Sequence, residues 1–204
     1  MIAIVDYGVG NLFSIEQSFR AIGAQITVTA DPEVLRSADK LVLPGVGAFG
    51  EAAKKLWDSG VAEVVLEQAK AGKPLFGICL GMQLLFDESC EYGCHKGLGL
   101  IPGQIRPISQ VIPKGLKIPH MGWNALNFTR ESRLFSNIHD GDCVYFVHSY
   151  YAANCSEATI ATAEYGAPLT AAVEKGNVFG CQFHPEKSGT VGLEILRAFC
   201  EMKV

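Results

Sequence analysis

Three residues of this chain have the types and spacing of a nucleophile, a base and an orienting carboxylate. Cys79 lies in Gly77-Ile78-Cys79-Leu80-Gly81, and His184-Pro185-Glu186 follows an apolar run far downstream. A thiolate can attack a carbonyl, an imidazole can move the protons, and a carboxylate beside the imidazole can fix its tautomer and stabilise its charged form. Each piece also has an ordinary reading. A free cysteine is commonly a small buried hydrophobe, and His-Pro-Glu after a strand can be a solvated turn with an ion pair to Lys187. Together, in their sequence contexts, they read as covalent catalytic machinery.

The elements that must position them are legible. Lys73-Pro74-Leu75-Phe76-Gly77-Ile78 is a short apolar run after Gly72, a helix-ending glycine, and Leu80 to Phe86 has helical apolar spacing. Cys79 therefore falls at a strand-turn-helix junction, the setting of a G-x-nucleophile-x-G elbow. Gly77 and Gly81 let neighbouring backbone approach while the turn strains the nucleophile, and a helix starting after Cys79 favours its thiolate. On extended backbone, His184 and Glu186 face the same side, and Pro185 fixes its own φ, so the carboxylate can reach the imidazole.

Further motifs place the chain in a family. The elbow Gly77-Ile78-Cys79-Leu80-Gly81-Met82-Gln83, the loop Pro44-Gly45-Val46-Gly47-Ala48-Phe49-Gly50 and the segment His184-Pro185-Glu186-Lys187-Ser188 together resemble the triad-type (class I) glutamine amidotransferases. Asp6-Tyr7-Gly8-Val9-Gly10-Asn11-Leu12 and Pro119-His120-Met121-Gly122-Trp123-Asn124 resemble, within that family, the glutaminase subunits that serve histidine biosynthesis. The glutaminase subunits of pyridoxal 5′-phosphate synthase are similar but typically carry Gly-Gly-Glu-Ser in the corresponding loop, from which Pro44-Gly45-Val46-Gly47 departs. The resemblance implies a flavodoxin-like α/β fold, hydrolysis of glutamine through a cysteinyl thioester, and no cofactor. It implies an oxyanion hole made by the N–H of Leu80 and an N–H of the Gly45-Val46-Gly47 loop, with glutamine positioned by Gln83, Glu91, Ser149 and Tyr150. It also implies a (β/α)8-barrel cyclase partner in a 1:1 heterodimer, docking against loops that include Asn11, Trp123 and Tyr145.

Composition bounds the rest. At 204 residues and 49% hydrophobic, the chain can bury one substantial core, so a single domain over residues 1–204 is expected. Seven cysteines at irregular spacings, with no secretory h-region after Met1, predict a reducing, cytoplasmic setting. A net charge of −4 without a basic run gives no electrostatic footprint for nucleic acid, and charged residues interrupt every longer apolar stretch. Cys90-Glu91-Tyr92-Gly93-Cys94-His95 is the one cluster that invites a metal. A tetrahedral site needs about four ligands, and no second pair at matching spacing exists, so incidental thiols in a loop are expected.

The first half alternates strand and helix as a parallel sheet requires. Ile2–Val5, Ile26–Thr29 and Lys40–Leu43 read as strands. Asn11 can cap a helix that buries Leu12, Ile15, Phe19 and Ile22 and stops at Gly23. Helical patterns follow around Ala48–Ser59 and Val61–Ala71. From about Gly97 the pattern predicts strands at Gln104–Ile108, Val144–Ser149, Ala158–Glu164, Leu169–Glu174 and Val178–Phe183, with a hairpin turn at Lys175-Gly176-Asn177 and a closing helix over Gly189–Met202. The expected architecture is a central, mostly parallel sheet flanked by helices, with added antiparallel strands in the second half. Gly45 to Gly50 also satisfies G-x-G-x-x-G, but after the third strand instead of the first, and Glu67 downstream lies in helix instead of ending a second strand. Backbone N–H groups facing a reacting carbonyl oxygen are the favoured use of these glycines.

Overall fold

The computed structural model describes residues 1–203. Its first half runs β1 (Ile2–Val5), α1 (Leu12–Ala21), β2 (Ile26–Thr29), α2 (Pro32–Ser37), β3 (Lys40–Leu43), α3 (Phe49–Asp58), α4 (Val61–Lys70), β4 (Leu75–Ile78) and α5 (Leu80–Gln83). Then come β5 (Phe86–Ser89), β6 (His95–Lys96), β7 (Ile101–Pro107), β8 (His120–Ala125), β9 (Asn127–Phe128), β10 (Cys143–His148) and β11 (Tyr150–Ala153). The chain closes with β12 (Thr159–Glu164), β13 (Pro168–Lys175), β14 (Val178–Cys181) and α6 (Gly189–Glu201).

Eight strands form the main sheet in the order β2-β1-β3-β4-β14-β13-β12-β9. Pairing is parallel from β2 through β14 and antiparallel beyond. The parallel strands β1, β3, β4 and β14 are buried on both faces and alternate between two cores. Ile2, Ile4, Val42 and Phe76 pack with Ile15, Phe19, Leu196 and Phe199 of α1 and α6. Ala3, Val5, Leu41 and Leu43 pack with Leu35, Phe49, Leu56 and Val65 of α2, α3 and α4. The result is three layers with the antiparallel extension the sequence predicts. A ribbon of β8 with β10, and a small sheet β11-β7-β5-β6, lie outside the main sheet.

The main departure from expectation concerns the segment after the elbow. The helical apolar spacing of Leu80–Phe86 predicts a longer helix, yet α5 is a single turn and the chain re-enters a strand at Phe86. All of Leu80 to Phe86 is buried, so apolar periodicity alone cannot separate helix from buried strand there. The short α2, capped by the Asp31 side chain with Pro32 at its first position, was also not anticipated. By contrast, Asn11 caps α1 by accepting from the Ser14 N–H at 3.4 Å, and Gly176-Asn177 makes the two-residue turn that pairs Lys175 with Val178.

One buried cation ties the sheet to α6. Lys40 is 5% exposed, and its ammonium donates to the carbonyls of Phe199 (2.9 Å), Cys200 and Met202 (2.6 Å). These are last-turn carbonyls that a helix cannot satisfy internally. Burial pushes the Lys40 amine below its ordinary value, and the charges of Cys200 and Asp39 oppose that shift. Lys40→Met should leave these acceptors without their donor and lower unfolding stability by about 2–3 kcal/mol, measured by urea denaturation. An unchanged denaturation midpoint would show the tie to be dispensable.

Candidate active site

The strands β4 and β14 are parallel neighbours, with Ile78 opposite Cys181. Both chains therefore leave the sheet at the same edge, the end of an open α/β sheet where sites form. Cys79 follows β4 and Gln182 to Glu186 follow β14, and the Cys79 N–H donates to the Cys181 carbonyl at 2.8 Å. Segments remote in sequence are thereby set side by side.

Cys79 has φ 55° and ψ −113°, outside the regions an L-residue with a side chain prefers. Close packing holds it there. A Cβ on Gly77 would stand 2.7 Å from the Gly81 carbonyl oxygen, and a Cβ on Gly81 would stand 1.9 Å from the Leu43 oxygen. Both glycines flanking the nucleophile are thus required by contact. Because α5 is one turn, its macrodipole is small, and what remains is the local N–H of Leu80, which lacks an intrahelical acceptor.

His184 is 4% exposed, and its Nδ1 lies 2.7 Å from Glu186 Oε1, on a side chain that is 1% exposed. Extended backbone was expected through this triplet, but only His184 is extended, and Pro185–Lys187 form a 3-10 turn that brings the carboxylate back to the ring. Burial, the largest single influence, pushes the imidazole down. The hydrogen bonds to Cys79 and Glu186 and their negative charges together outweigh it and raise His184 to about 10. Glu186 Oε2 is buried without a hydrogen-bond partner among the described residues.

A cavity of about 360 Å³ opens beside Cys79 and His184 and includes Gln83, Glu91, Ser149 and Tyr150 in its wall. Val46 and Gly47 line it as well. Neither makes a backbone–backbone hydrogen bond among the described residues. Gly47 has φ 93°, while Val46 keeps negative φ, as its β-branched side chain favours. Gly45 is jammed against the elbow, since a Cβ there would stand 2.7 Å from the Gly81 nitrogen. Tyr7, buried behind the loop, donates to the Pro44 carbonyl at 2.7 Å. Its phenol is raised by burial and then by the charge of Cys79. Glu91 approaches as expected, and its Oε2 also accepts from the Phe49 N–H at 2.6 Å, at the start of α3.

Sequence reasoning missed two features. Gln182 is completely buried, and its Nε2 lies 3.7 Å from Cys79 Sγ while its Oε1 accepts from Gln83 Nε2 at 2.9 Å. The signal was available, because Gln182 stands two residues before His184 at the end of a strand. The second is a histidine pair on the β8–β10 ribbon. His148 Nδ1 donates to the Tyr150 carbonyl (2.7 Å), which leaves Nε2 to accept from His120 Nδ1 (2.9 Å), and His120 Nε2 to accept from Asn124 Nδ2 (3.2 Å). Nothing local in the sequence marks two histidines so far apart as partners.

The residues expected at a partner surface sit near one another only in part. Trp123 is 58% exposed and meets Tyr145 edge to face, with ring centres 6.3 Å apart. The Tyr145 carbonyl accepts from the His184 N–H at 2.9 Å, which connects this surface to His184. Asn11 is exposed at the start of α1. Gly50 packs against the His95 ring, where a Cβ would stand 2.7 Å from the ring, so the last glycine of the G-x-G-x-x-G pattern serves a packing contact. Among the described residues no three His, Cys, Asp or Glu side chains converge as metal ligands, and all seven cysteines are free. No described helix is long and apolar enough to cross a membrane.

An elbow cysteine, a histidine backed by a buried glutamate and a glycine loop thus meet at one cavity at the carboxyl end of a parallel sheet, an arrangement suited to a cysteine nucleophile. The chain belongs to the glutamine amidotransferase class-I family, whose profile matches residues 3–202. It is 51% identical over 202 residues to the imidazole glycerol phosphate synthase subunit HisH of Methanothermobacter thermautotrophicus, covering 99% of this chain and 98% of that one. It is 48% identical over 206 residues to the same subunit of Geobacter sulfurreducens, covering 99% of each. The fold superposes on a crystal structure of a glutamine amidotransferase with a TM-score of 0.76 at 20% identity, covering 98% of both chains. It also superposes on PurLQS from Thermotoga maritima with a TM-score of 0.72 at 20% identity, covering 97% and 96%.

The histidine pair makes acid sensitivity predictable. Burial pushes His148 down to about 4, the hydrogen bond to Tyr150 opposes this, and the nearby His120 and His184 add to the depression. A folded-state value below the unfolded one means that the unfolded chain binds the extra proton. The stability this neutral histidine contributes is therefore present above about pH 6.5 and lost as pH falls toward 4. The loss should approach about 3 kcal/mol, and His148→Gln should flatten the fall of thermal midpoint across that window. An identical slope in the variant would remove His148 as its source.

Proposed function

We propose that this chain is a single glutaminase domain, residues 1–204, that hydrolyses L-glutamine to glutamate and ammonia. It passes the ammonia to a (β/α)8-barrel cyclase subunit, in a 1:1 heterodimer, for making imidazole glycerol phosphate and an aminoimidazole carboxamide nucleotide in histidine biosynthesis. The observation that carries this reading is the convergence of Cys79 and His184 on one cavity, with Glu186 2.7 Å behind the imidazole, and the identity to HisH subunits supports the pathway. The free thiols suit a cytoplasmic setting.

Cys79 attacks the side-chain amide carbon as the thiolate, its proton having passed to His184. The carbon–sulfur bond forms, the carbon–nitrogen bond breaks, and His184 gives its proton to the departing nitrogen, which leaves as ammonia. Neutral His184 then takes a proton from water, whose oxygen attacks the thioester and releases glutamate, thiolate and imidazolium. Glu186 holds Nδ1 and stabilises the charged ring throughout. The oxyanion is held by the Leu80 N–H and by an N–H of Gly45, Val46 or Gly47. Both hydrogens of Gln83 Nε2 are engaged, by Gln182 and by the Tyr150 carbonyl at 3.4 Å. Gln83 therefore offers its carbonyl to a donor on the substrate, Glu91 offers a carboxylate, and Ser149 and Tyr150 complete the pocket. Ammonia set free in neutral water becomes ammonium, which is not nucleophilic, so an acceptor site must dock close by. Asn11, Trp123 and Tyr145 mark that docking face.

Cys79→Ala should abolish glutamine-dependent synthesis in the assembled complex and spare synthesis from added ammonia. Loss of both in a folded, assembled variant would argue against an acceptor site on a separate subunit. His184→Ala should be nearly as damaging as Cys79→Ala, while Glu186→Gln retains more glutaminase activity because it exchanges no proton with substrate. Steady-state rates decide this, and a wild-type rate for His184→Ala would exclude it as the base.

The isolated chain should be a poor glutaminase. Val46 disfavours positive φ, and we infer that the adjoining peptide rests with its N–H away from the hole, Gly45 and Gly47 on either side permitting the flip. One missing donor costs roughly 10²–10³ in rate. A partner that binds the flipped form preferentially raises kcat by that order with little change in glutamine affinity. Equal rates for the isolated chain and the liganded complex would refute this gating.

A further inference from the structure

Gln182 occupies an unusual place for a buried amide. No part of it reaches solvent, its backbone N–H is pinned to the Ala171 carbonyl at 2.8 Å, and its side-chain partners are the nucleophile and a wall of the substrate cavity. Amide orientation follows from the two ends of this chain of contacts. The Tyr150 carbonyl can only accept, so Gln83 turns its NH₂ that way and shares it with Gln182 Oε1. Gln182 must then direct its own NH₂ at Cys79 Sγ, 3.7 Å away, and a thiolate can only accept. Every group in the series is in its one compatible orientation when the sulfur is charged.

We propose that Gln182 is a further catalytic residue of the glutaminase reaction, its N–H stabilising the Cys79 thiolate while its carbonyl fixes Gln83, so that one amide aligns nucleophile and pocket wall. The proposal rests on the glutaminase reading above. Gln182 adds a neutral donor on the β14 side of the sulfur, where His184 supplies the charged one, and it moves no proton. When the sulfur is acylated and loses its charge the contact weakens, and it is restored when hydrolysis regenerates the thiolate.

The test compares Gln182→Met and Gln182→Glu in the full chain, with folding checked by thermal melting. Two quantities are read: the alkylation rate of Cys79 by iodoacetamide, followed by peptide mass spectrometry above neutral pH where a glutamate is ionised, and kcat and KM for glutamine. Loss of a hydrogen bond to a charged group should slow alkylation and lower kcat by roughly 10- to 100-fold in Gln182→Met, with KM little changed. Gln182→Glu should be slower still, because it sets a negative charge against the sulfur. A mere spacer predicts the reverse order, since glutamate keeps the shape and still accepts from Gln83. Either variant decides alone if the other fails to fold, and alkylation at the wild-type rate in a folded variant overturns the proposal. If the wild-type chain itself is not alkylated at Cys79, the glutaminase reading falls instead.

Discussion

Cys79 can hold its left-handed backbone only because three segments close on it without room for a side chain. Gly77 lies against α5, Gly81 lies against the end of β3, and Gly45 lies against Gly81. Strain of this kind costs about 1–3 kcal/mol and persists only where the surroundings over-determine it. Here the surroundings are the most buried strands of the main sheet, whose packing cannot relax without opening both cores. The same contacts that force the turn also bring the Pro44–Gly47 loop up to the elbow. The strain and the loop's position thus have one cause.

The parallel pairing of β4 with β14 carries this constraint across the sequence. Because the register is fixed along four residue pairs, the chain beyond Cys181 emerges at a set height beside Cys79. Gln182 then meets the sulfur and His184 enters the same cavity from the neighbouring strand, and the 3-10 turn at Pro185–Lys187 returns Glu186 to the imidazole. A slip of one residue would turn each of these side chains to the opposite face. Precision at the nucleophile is therefore a property of the sheet, while the pocket's outer wall comes from Glu91, Ser149 and Tyr150 in the smaller sheet and its loops.

What could be read from the sequence follows the same division. The parallel strands β1, β3 and β4 are continuous apolar runs bounded by turn residues, and α1 has a cap, an apolar stripe and a terminal glycine, so their local signals agree with their tertiary roles. Cys79, His184 and Glu186 could be singled out because elbow chemistry and the His-Pro-Glu spacing are local. Strand β8 was hidden for a physical reason. It points Met121 and Trp123 outward and His120 inward, the reverse of a half-buried strand, so period-two reasoning finds no apolar inner face. α5 was hidden by uniform burial, β5 offers a single apolar residue, Phe86, and β6 and β9, at two residues each, are too short to carry a pattern.

The inverted polarity of β8 has a further meaning. Its inward histidine joins His148 and the Tyr150 carbonyl, the group that also accepts from Gln83, while its outward Trp123 stands against Tyr145, whose carbonyl holds the backbone of His184. One two-stranded ribbon thus touches the pocket wall on one face and offers exposed aromatic surface on the other. Met121 and Trp123 are exposed together, and aromatic residues of this kind concentrate at interface hot spots. Neutral, fully hydrogen-bonded histidines on the inner face complete the arrangement, since a charged pair there would meet the protonated His184 across a poorly screened interior. An exposed aromatic surface and a core kept free of competing charge are two sides of the same ribbon.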